Sequence, residues 1–249
     1  MLDNQTPVWY LWVMIYRDGV AGSNRQETDG LLLLLASPED EERGFAPLPV
    51  PRRERQASLT VLAGPGFVLD LGTTLAGQAA LRGLTVLYVD GANAFDPYIL
   101  SRLAKDAGQP PKAILQRLHL SRAFTCHQLE TLIAERLPSA IARYRPGLVV
   151  VSGWSHLFHD ENVPAREAFR ILQHTGRRLR SLAEVGQPIL ATHPEEEPAT
   201  PRLRPLGEIL ARAATIVVRL REEEGEVLAL QEKPPSPHGP HPLLLDSQL

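Results

Sequence analysis

The chain has little of three features that would point to a particular protein class: cysteine, long apolar segments and net charge. Cys126 is the one cysteine among 249 residues, which excludes an internal disulfide framework. The apolar run at 8–16 is far shorter than the roughly 20 residues of a membrane helix. The formal charge of -3 gives no general attraction for nucleic acid. We therefore expect a cytoplasmic protein without membrane contact, in which any nucleic-acid binding needs a local basic surface.

The distribution of apolar and proline residues predicts three parts of the chain. Residues 1–57 contain two apolar runs and a Pro-rich stretch, which predicts an N-terminal β-hairpin followed by an extended linker. Across 58–232, strand-like segments such as 58–63 and 148–151 alternate with helical segments such as about 70–82 and 127–144, which predicts an α/β core with a mostly parallel sheet flanked by helices. This core should end in an antiparallel hairpin around 222–225, and the Pro-rich tail at 233–249 should be irregular.

A segment with the setting of a phosphate loop follows the first strand of this core. Gly64–Leu71 connects a buried strand to an alanine-rich helix. A working loop reads G-x-x-x-x-G-K-[ST]: its backbone N–H groups and lysine bind the phosphates, and its hydroxyl holds magnesium. Here the last three positions are Leu69, Asp70 and Leu71, so the cation and the hydroxyl are missing and a carboxylate would repel phosphate. The loop is predicted not to bind ATP in the usual way.

Two other interpretations of the same segment remain open. A register that begins at Gly66 places Leu71, Gly72 and Thr73 on the last three positions, so that the hydroxyl is kept while the lysine is still missing. Alternatively, the segment is an ordinary strand-to-helix turn in which Asp70 is the N-cap. A capping carboxylate would occupy the helix end that a phosphate otherwise takes, so the protein itself would fill the site.

Four later segments carry motifs in a recognisable order. Tyr88–Phe95 is similar to Y-I-D-T-E-N-T-F, Ser121–Leu129 to A-R-A-Y-N-x-x-H-Q-x, Leu148–Phe158 to L-L-I-V-D-S-L-T-A-x-F, and Gly207–Arg221 to G-G-x-I-x-A-H-A-S-x-x-R-x-x-L-R. Together they resemble the RecA/RadA recombinase family, with near-correct spacing. The resemblance covers about 58–232 and implies a RecA-like sheet.

The departures from this family fall on the positions where it performs its chemistry. The family glutamate that orients the attacking water corresponds to Ala92, and the aspartate that holds magnesium through water corresponds to Ser152. The switch segment T-N-Q corresponds to Thr192-His193-Pro194. Phosphoryl transfer depends on positioning and charge neutralisation, so losing these groups together with the lysine leaves nothing to perform it. The resemblance therefore implies a pseudo-ATPase without a cofactor.

The resemblance also implies where DNA would be contacted. Arg166 and Arg170 fall on the segment similar to the family's first DNA-binding loop and following helix, and Arg202 and Arg204 fall on the second loop. The acidic run at 195–197 weakens DNA affinity there. The apolar positions of the first segment also fit an amphipathic helix that packs on the sheet with its arginines in water. We expect single-stranded DNA binding to be weak.

Two other groups of polar residues have ordinary explanations. Asp90 lies where the family also has an aspartate, but a carboxylate at the end of a strand commonly caps a turn. His156, His159, Asp160 and Glu161 carry side chains that suit a metal, yet their spacing matches no known metal signature and favours a solvated loop. We predict no metal site.

Three functions follow from these observations. The leading hypothesis is a RecA/RadA-like pseudo-ATPase that acts as an accessory in DNA recombination or repair. It would bind a recombinase paralogue or another repair protein, or contact single-stranded DNA weakly. The competing hypotheses are a protein-binding scaffold or regulatory protein unrelated to DNA, and an ATPase with an altered nucleotide site.

Overall fold

A single sheet organises the chain. The computed structural model describes residues 58–195, 204–223, 226–233 and 241–243. The strand order is β3-β2-β4-β5-β1-β6-β7-β8, in which the first six strands are parallel and β7 and β8 are antiparallel additions. The strands are β1 (Leu59–Gly64), β2 (Val86–Asp90), β3 (Leu118–Arg122), β4 (Leu148–Ser152), β5 (Ile189–Pro194), β6 (Ile216–Glu223), β7 (Glu226–Lys233) and β8 (His241–Leu243).

Helices cover both faces of the sheet because alternate residues of the buried strands point to opposite sides. In β1, Leu62 packs with α1 to α3, whereas Val61 packs with α4 to α7. None of the helices in these described ranges is both long and apolar enough to cross a membrane. The helices are α1 (Val68–Leu81), α2 (Pro97–Asp106), α3 (Pro111–Leu115), α4 (Cys126–Thr131), α5 (Leu137–Tyr144), α6 (Ala165–Glu184) and α7 (Arg204–Ala213), with a 3-10 turn at His156–His159.

The main expectations about the fold are confirmed. The sheet is mostly parallel and flanked by helices, and β6 and β7 form the antiparallel hairpin. The tail differs, because its residues His241–Leu243 pair with β7 instead of being irregular. The predicted N-terminal β-hairpin and linker, residues 1–57, lie outside the described residues.

A proline shapes the predicted long helix at 127–144. The helix is continuous in direction, but Leu132–Arg136 forms a π turn between α4 and α5. Pro138 cannot donate a backbone hydrogen bond, and its ring clashes with the carbonyl four residues earlier. That carbonyl, Ala134 O, instead accepts a hydrogen bond from Arg178 Nη2 of α6 at 3.0 Å. The irregularity therefore lies before the proline, and a neighbouring helix satisfies the released acceptor.

Candidate functional site

The carboxyl edge of the parallel strands holds the residues that the sequence singled out. Gly64, Ser152 and His193 lie at the ends of β1, β4 and β5. β1 and β5 are neighbours, yet α1 and α7, the helices that follow them, pack on opposite faces of the sheet. Open α/β sheets bind ligands at such a switch point. The crevice beside Gly64 is thus the natural candidate site.

The connection from β1 to α1 is a tight turn and not a wide loop. It consists of Pro65–Phe67 only, and α1 begins at Val68. The amides of Val68, Leu69 and Leu71 donate to the carbonyls of Pro65, Gly66 and Phe67 at 3.0, 3.1 and 2.9 Å. A phosphate loop needs backbone N–H groups that are free to face the ligand. Three of the first four amides of α1 are already used within the turn.

The three positions that depart from the phosphate-loop motif all lie inside the first turn of α1. Leu71 is fully buried in the core, where the metal-binding hydroxyl would stand. Asp70 is not the N-cap, since the cap residue is Phe67 and no side chain caps the helix. The carboxyl group of Asp70 is half-buried; burial first, and then the charge of Asp96, raise its pKa, while Arg102 lowers it. The N-cap interpretation is therefore wrong, and the carboxylate remains beside the turn.

The glycine that opens the motif has a packing role. A Cβ on Gly64 would lie 2.6 Å from the carbonyl oxygen of Leu220 in β6, and the φ angle of Gly64 is +155°. Only a residue without a side chain permits this approach between β1 and β6. Close strand packing accounts for Gly64 without a ligand.

The alternative register also loses its hydroxyl to the interior. Thr73 is fully buried, and its hydroxyl donates to Leu69 O at 3.2 Å. Because that hydroxyl has one hydrogen, Tyr88 OH donates in the 2.8 Å hydrogen bond between the two side chains. Burial raises the pKa of Tyr88 to about 12, so the phenol stays protonated. The hydroxyl of Thr73 therefore fixes α1 to β2.

The ends of β2 and β4 are joined directly to each other. Gly91 N donates to Ser152 O at 2.8 Å, and a Cβ on Gly153 would lie 2.4 Å from that of Ala92. Ser152 is fully buried, and its hydroxyl has no hydrogen-bond partner of good geometry among the described residues. The two positions that correspond to the family's glutamate and aspartate thus lie in two adjacent close contacts, Ala92 against Gly153 and Ser152 against Gly91.

His193 lies at the end of β5 with its ring turned inward. Its side chain is buried, and Nδ1 shares a 2.6 Å hydrogen bond with Ser155 Oγ. Burial lowers the pKa of His193 to about 4, although Glu195, whose Oε1 lies 3.9 Å from Nε2, acts in the opposite direction. Burial prevails because Arg219 pairs with Glu195 and also repels a charged imidazole. The ring is neutral at pH 7.

A charged bridge that the sequence did not predict spans the crevice. Glu195 N donates to Gly64 O at 2.7 Å, and the Glu195 carboxylate pairs with Arg219 of β6. Arg219 also forms two hydrogen bonds with Glu232 of β7, which together with Glu195 raise its pKa. An arginine within the apolar strand at 216–220 was the available signal, because a half-buried charge needs partners. The protein's own groups thus connect β1, β5, β6 and β7 at the candidate site.

Asp90 has the structural role that its position suggested. Its side chain is fully buried and accepts hydrogen bonds from Ala94 N and Phe95 N, both at 3.2 Å. Arg122 Nε of β3 donates to the same carboxylate at 3.1 Å. Three donors from the turn and the adjacent strand account for this aspartate.

The histidine-rich segment after β4 contains the residues whose side chains would suit a metal. Its first part is the 3-10 turn His156–His159, with the two imidazole rings 5.9 Å apart. Across the part of the chain that the structure describes, no three His, Cys, Asp or Glu side chains are placed to hold a metal ion.

The predicted DNA-binding arginines divide into three cases. Arg166 and Arg170 lie one turn apart on α6 and are exposed, although Arg170 Nη1 is 3.8 Å from a carboxylate oxygen of Glu130 in α4. Arg204 is the first residue of α7. Arg202 lies outside the described residues. The structure therefore brings Arg166 and Arg170 together at the carboxyl edge, with part of the charge neutralised.

The chemistry of this edge follows from its donors. Three of the first four amides of α1 bind carbonyls of the turn, Ser155 and His193 bond to each other, and the carboxylate of Asp70 beside the turn is influenced by the charge of Asp96. Such a surface disfavours a polyphosphate, because like charges repel strongly where solvent screening is reduced. No protein-family model matches the chain.

Proposed function

We propose that the chain is a RecA/RadA-like pseudo-ATPase that serves as an accessory in DNA recombination or repair, through a partner protein, weak contact with single-stranded DNA, or both. The RecA/RadA part of this proposal rests on the four sequence motifs. The loss of ATP turnover is supported by one observation above the others, the three-residue turn Pro65–Phe67 whose carbonyls bind the first amides of α1.

The turn argues against nucleotide binding independently of any motif. A phosphate at a helix N-terminus is held by unpaired N–H groups and by the positive end of the helix dipole. At α1 three of the first four N–H groups are paired, and Asp70 and Asp96 add negative charge. Introducing the missing lysine at position 70 would therefore not by itself create a phosphate site.

The test is a thermal-shift titration of the full chain with magnesium-ATP. A nucleotide at a hundred times its Kd would add about 2.7 kcal/mol to the unfolding free energy and raise Tm by roughly 5 °C or more. We expect no shift for the wild type or for Asp70→Lys, which reverses the local charge without opening the turn. Stabilisation of the wild type would contradict the proposal and favour an ATPase with an altered site.

A parallel anisotropy titration with labelled oligo-dT, at low and moderate salt, tests the DNA arm. Arg166→Gln combined with Arg170→Gln should weaken salt-dependent binding at the carboxyl edge. Arg212→Gln removes one exposed charge from the last turn of α7, away from the carboxyl edge, and is the matched control for each single substitution. Absence of binding at any salt, together with no ATP effect, would favour the protein-binding scaffold.

A further inference from the structure

The amino edge of the sheet, opposite the candidate site, carries a compact set of cations and aromatic rings. Arg117 directly precedes β3 and His119 is its second residue, while Arg143 and Tyr144 end α5 and Arg145 follows them. β3 and β4 flank β2 in the sheet, so the two groups meet at one edge. We call these five residues the amino-end patch.

Aromatic stacking joins the two halves of the amino-end patch. The rings of His119 and Tyr144 are stacked with centroids 4.1 Å apart. The guanidinium carbon of Arg143 lies 5.1 Å from the centroid of the Tyr144 ring. Tyr144 stays 36% exposed while it makes both contacts. The patch therefore offers solvent an aromatic surface edged by positive charge.

Arg145 has a long side chain at a backbone conformation that normally favours glycine. Arg145 ends α5 in the left-handed region, with φ 46° and ψ 57°, and its N–H donates to Ile141 O at 2.9 Å. Glycine normally occupies this capping position because it has no Cβ to strain. A cation at a helix C-terminus interacts favourably with the dipole, but Arg143, two residues earlier in the last turn of α5, already supplies that. A role for the Arg145 side chain outside the helix accounts for its presence.

The arginines of the amino-end patch are exposed and can bind an anion. Arg117, Arg143 and Arg145 are exposed, and within the described ranges none of them forms an ion pair. Arg117 uses one N–H on Gly83 O at 2.7 Å, which holds its guanidinium at the edge while other donors remain. The whole chain is acidic by three charges, so this concentration of cations is local. Arginines on such a background attract a polyanion.

We infer that the amino-end patch binds single-stranded nucleic acid, with Arg117, Arg143 and Arg145 on the phosphates and a base against the Tyr144 cluster. Single-stranded nucleic acids bind to exposed aromatic rings that lie among arginines, because every base has a face that can stack on a ring. An acidic peptide would use the arginines alone and leave the aromatic cluster without a function. The inference rests on the proposed nucleic-acid role, but it places the contact at the edge opposite Arg166 and Arg170.

The experiment is an anisotropy titration of the full chain with labelled oligo-dT over a range of salt concentrations. Combining Arg117→Gln, Arg143→Gln and Arg145→Gly should weaken binding about tenfold or more and reduce the salt slope by about two, because each phosphate contact on a single strand contributes about 0.7. Tyr144→Ala should weaken binding about fivefold or more without changing that slope. Arg221→Gln, on the other edge, is the control for Arg143→Gln alone.

Arg145→Gly separates binding from stability. It removes the strained side chain, so Tm should rise or stay constant while affinity falls. Unchanged affinity in the triple variant would overturn the inference, and so would displacement of oligo-dT by polyglutamate of equal charge. If Arg166→Gln with Arg170→Gln abolishes binding while the triple variant binds normally, this inference fails and the proposed function stands. Absence of any wild-type binding would overturn this inference and leave the partner-protein arm of the proposed function.

Discussion

His193 should make the stability of the protein depend on pH. Its side chain is 8% exposed, and burial lowers its pKa from 6.5 to about 4. Between these values the unfolded chain binds a proton that the folded protein excludes, so stability is complete above pH 6.5 and falls as the pH decreases. A difference of about 2.5 units corresponds to about 3 kcal/mol, of which about 2 kcal/mol is lost between pH 7 and pH 4.5.

The perturbation is His193→Asn, which keeps a side-chain group for the hydrogen bond with Ser155 but cannot titrate. The measurement is urea unfolding followed by tryptophan fluorescence, to which the buried Trp154 contributes, at several pH values between 7 and 4.5. The variant should lose about 2 kcal/mol less than the wild type over this interval. The difference isolates His193, because the other charges that face it, on Glu195, Arg219 and His159, are the same in both proteins.

Ser155→Ala is the matched control. It removes the 2.6 Å hydrogen bond and should lower stability by about 1 kcal/mol at every pH, while the buried imidazole keeps its pH dependence. If His193→Asn and the wild type lose the same free energy between pH 7 and pH 4.5, burial does not hold the imidazole neutral and the reasoning is refuted.

Two further predictions concern the turn and the helix that follows it. Gly64→Ala should destabilise the protein by roughly 1–3 kcal/mol, since its Cβ would lie 2.6 Å from the backbone of Leu220, whereas Gly66→Ala, with nothing within 4 Å, should be neutral or slightly stabilising in the same urea titration. Thr73→Val should cost about 1–3 kcal/mol because it leaves the buried Tyr88 hydroxyl without its acceptor; an unchanged unfolding midpoint would contradict the hydrogen bond between them.

Much of the sheet could be predicted from the sequence because the parallel strands are buried on both faces. Such strands are near-continuous apolar runs, and those of β1 and β4 start or end within one residue of their predicted bounds of 58–63 and 148–151. The alternation with amphipathic helices then gave the fold class. β8 was missed because His241–Leu243 is a short segment that follows Pro240 and contains Pro242, and edge pairing on β7 determines its conformation.

The start of α1 could not be placed from the sequence, for a specific reason. The predicted start was residue 70, where Asp70 offered a capping side chain, but α1 begins at Val68 behind Phe67. A helix without a side-chain cap leaves no local signal, since tertiary packing of Val68 and Leu71 determines where it begins. The error matters for function, because a shift of the helix start by two residues determines whether the connection is an open loop or a closed turn.

The bridge from Glu195 through Arg219 to Glu232 was out of reach for a related reason. Its members lie on three strands, and only the register of β1 with β5 and β6 brings them together. The sequence placed Glu195 in an acidic run that was predicted to weaken DNA affinity. In the structure its charge is paired and its amide holds Gly64. Long-range pairs of this kind decide the electrostatics of a site that local patterns can only locate.

The same structure explains two residues of the segment that resembles a phosphate loop. Gly64 is required by the close approach of Leu220, whether or not a ligand is present. Leu71 contributes to the core, and three of the first four amides of α1 donate to carbonyls of the turn. Both residues therefore serve the packing of the protein itself. One substitution would not turn this segment into a phosphate loop, because the donors, the space and the charge would all have to change together.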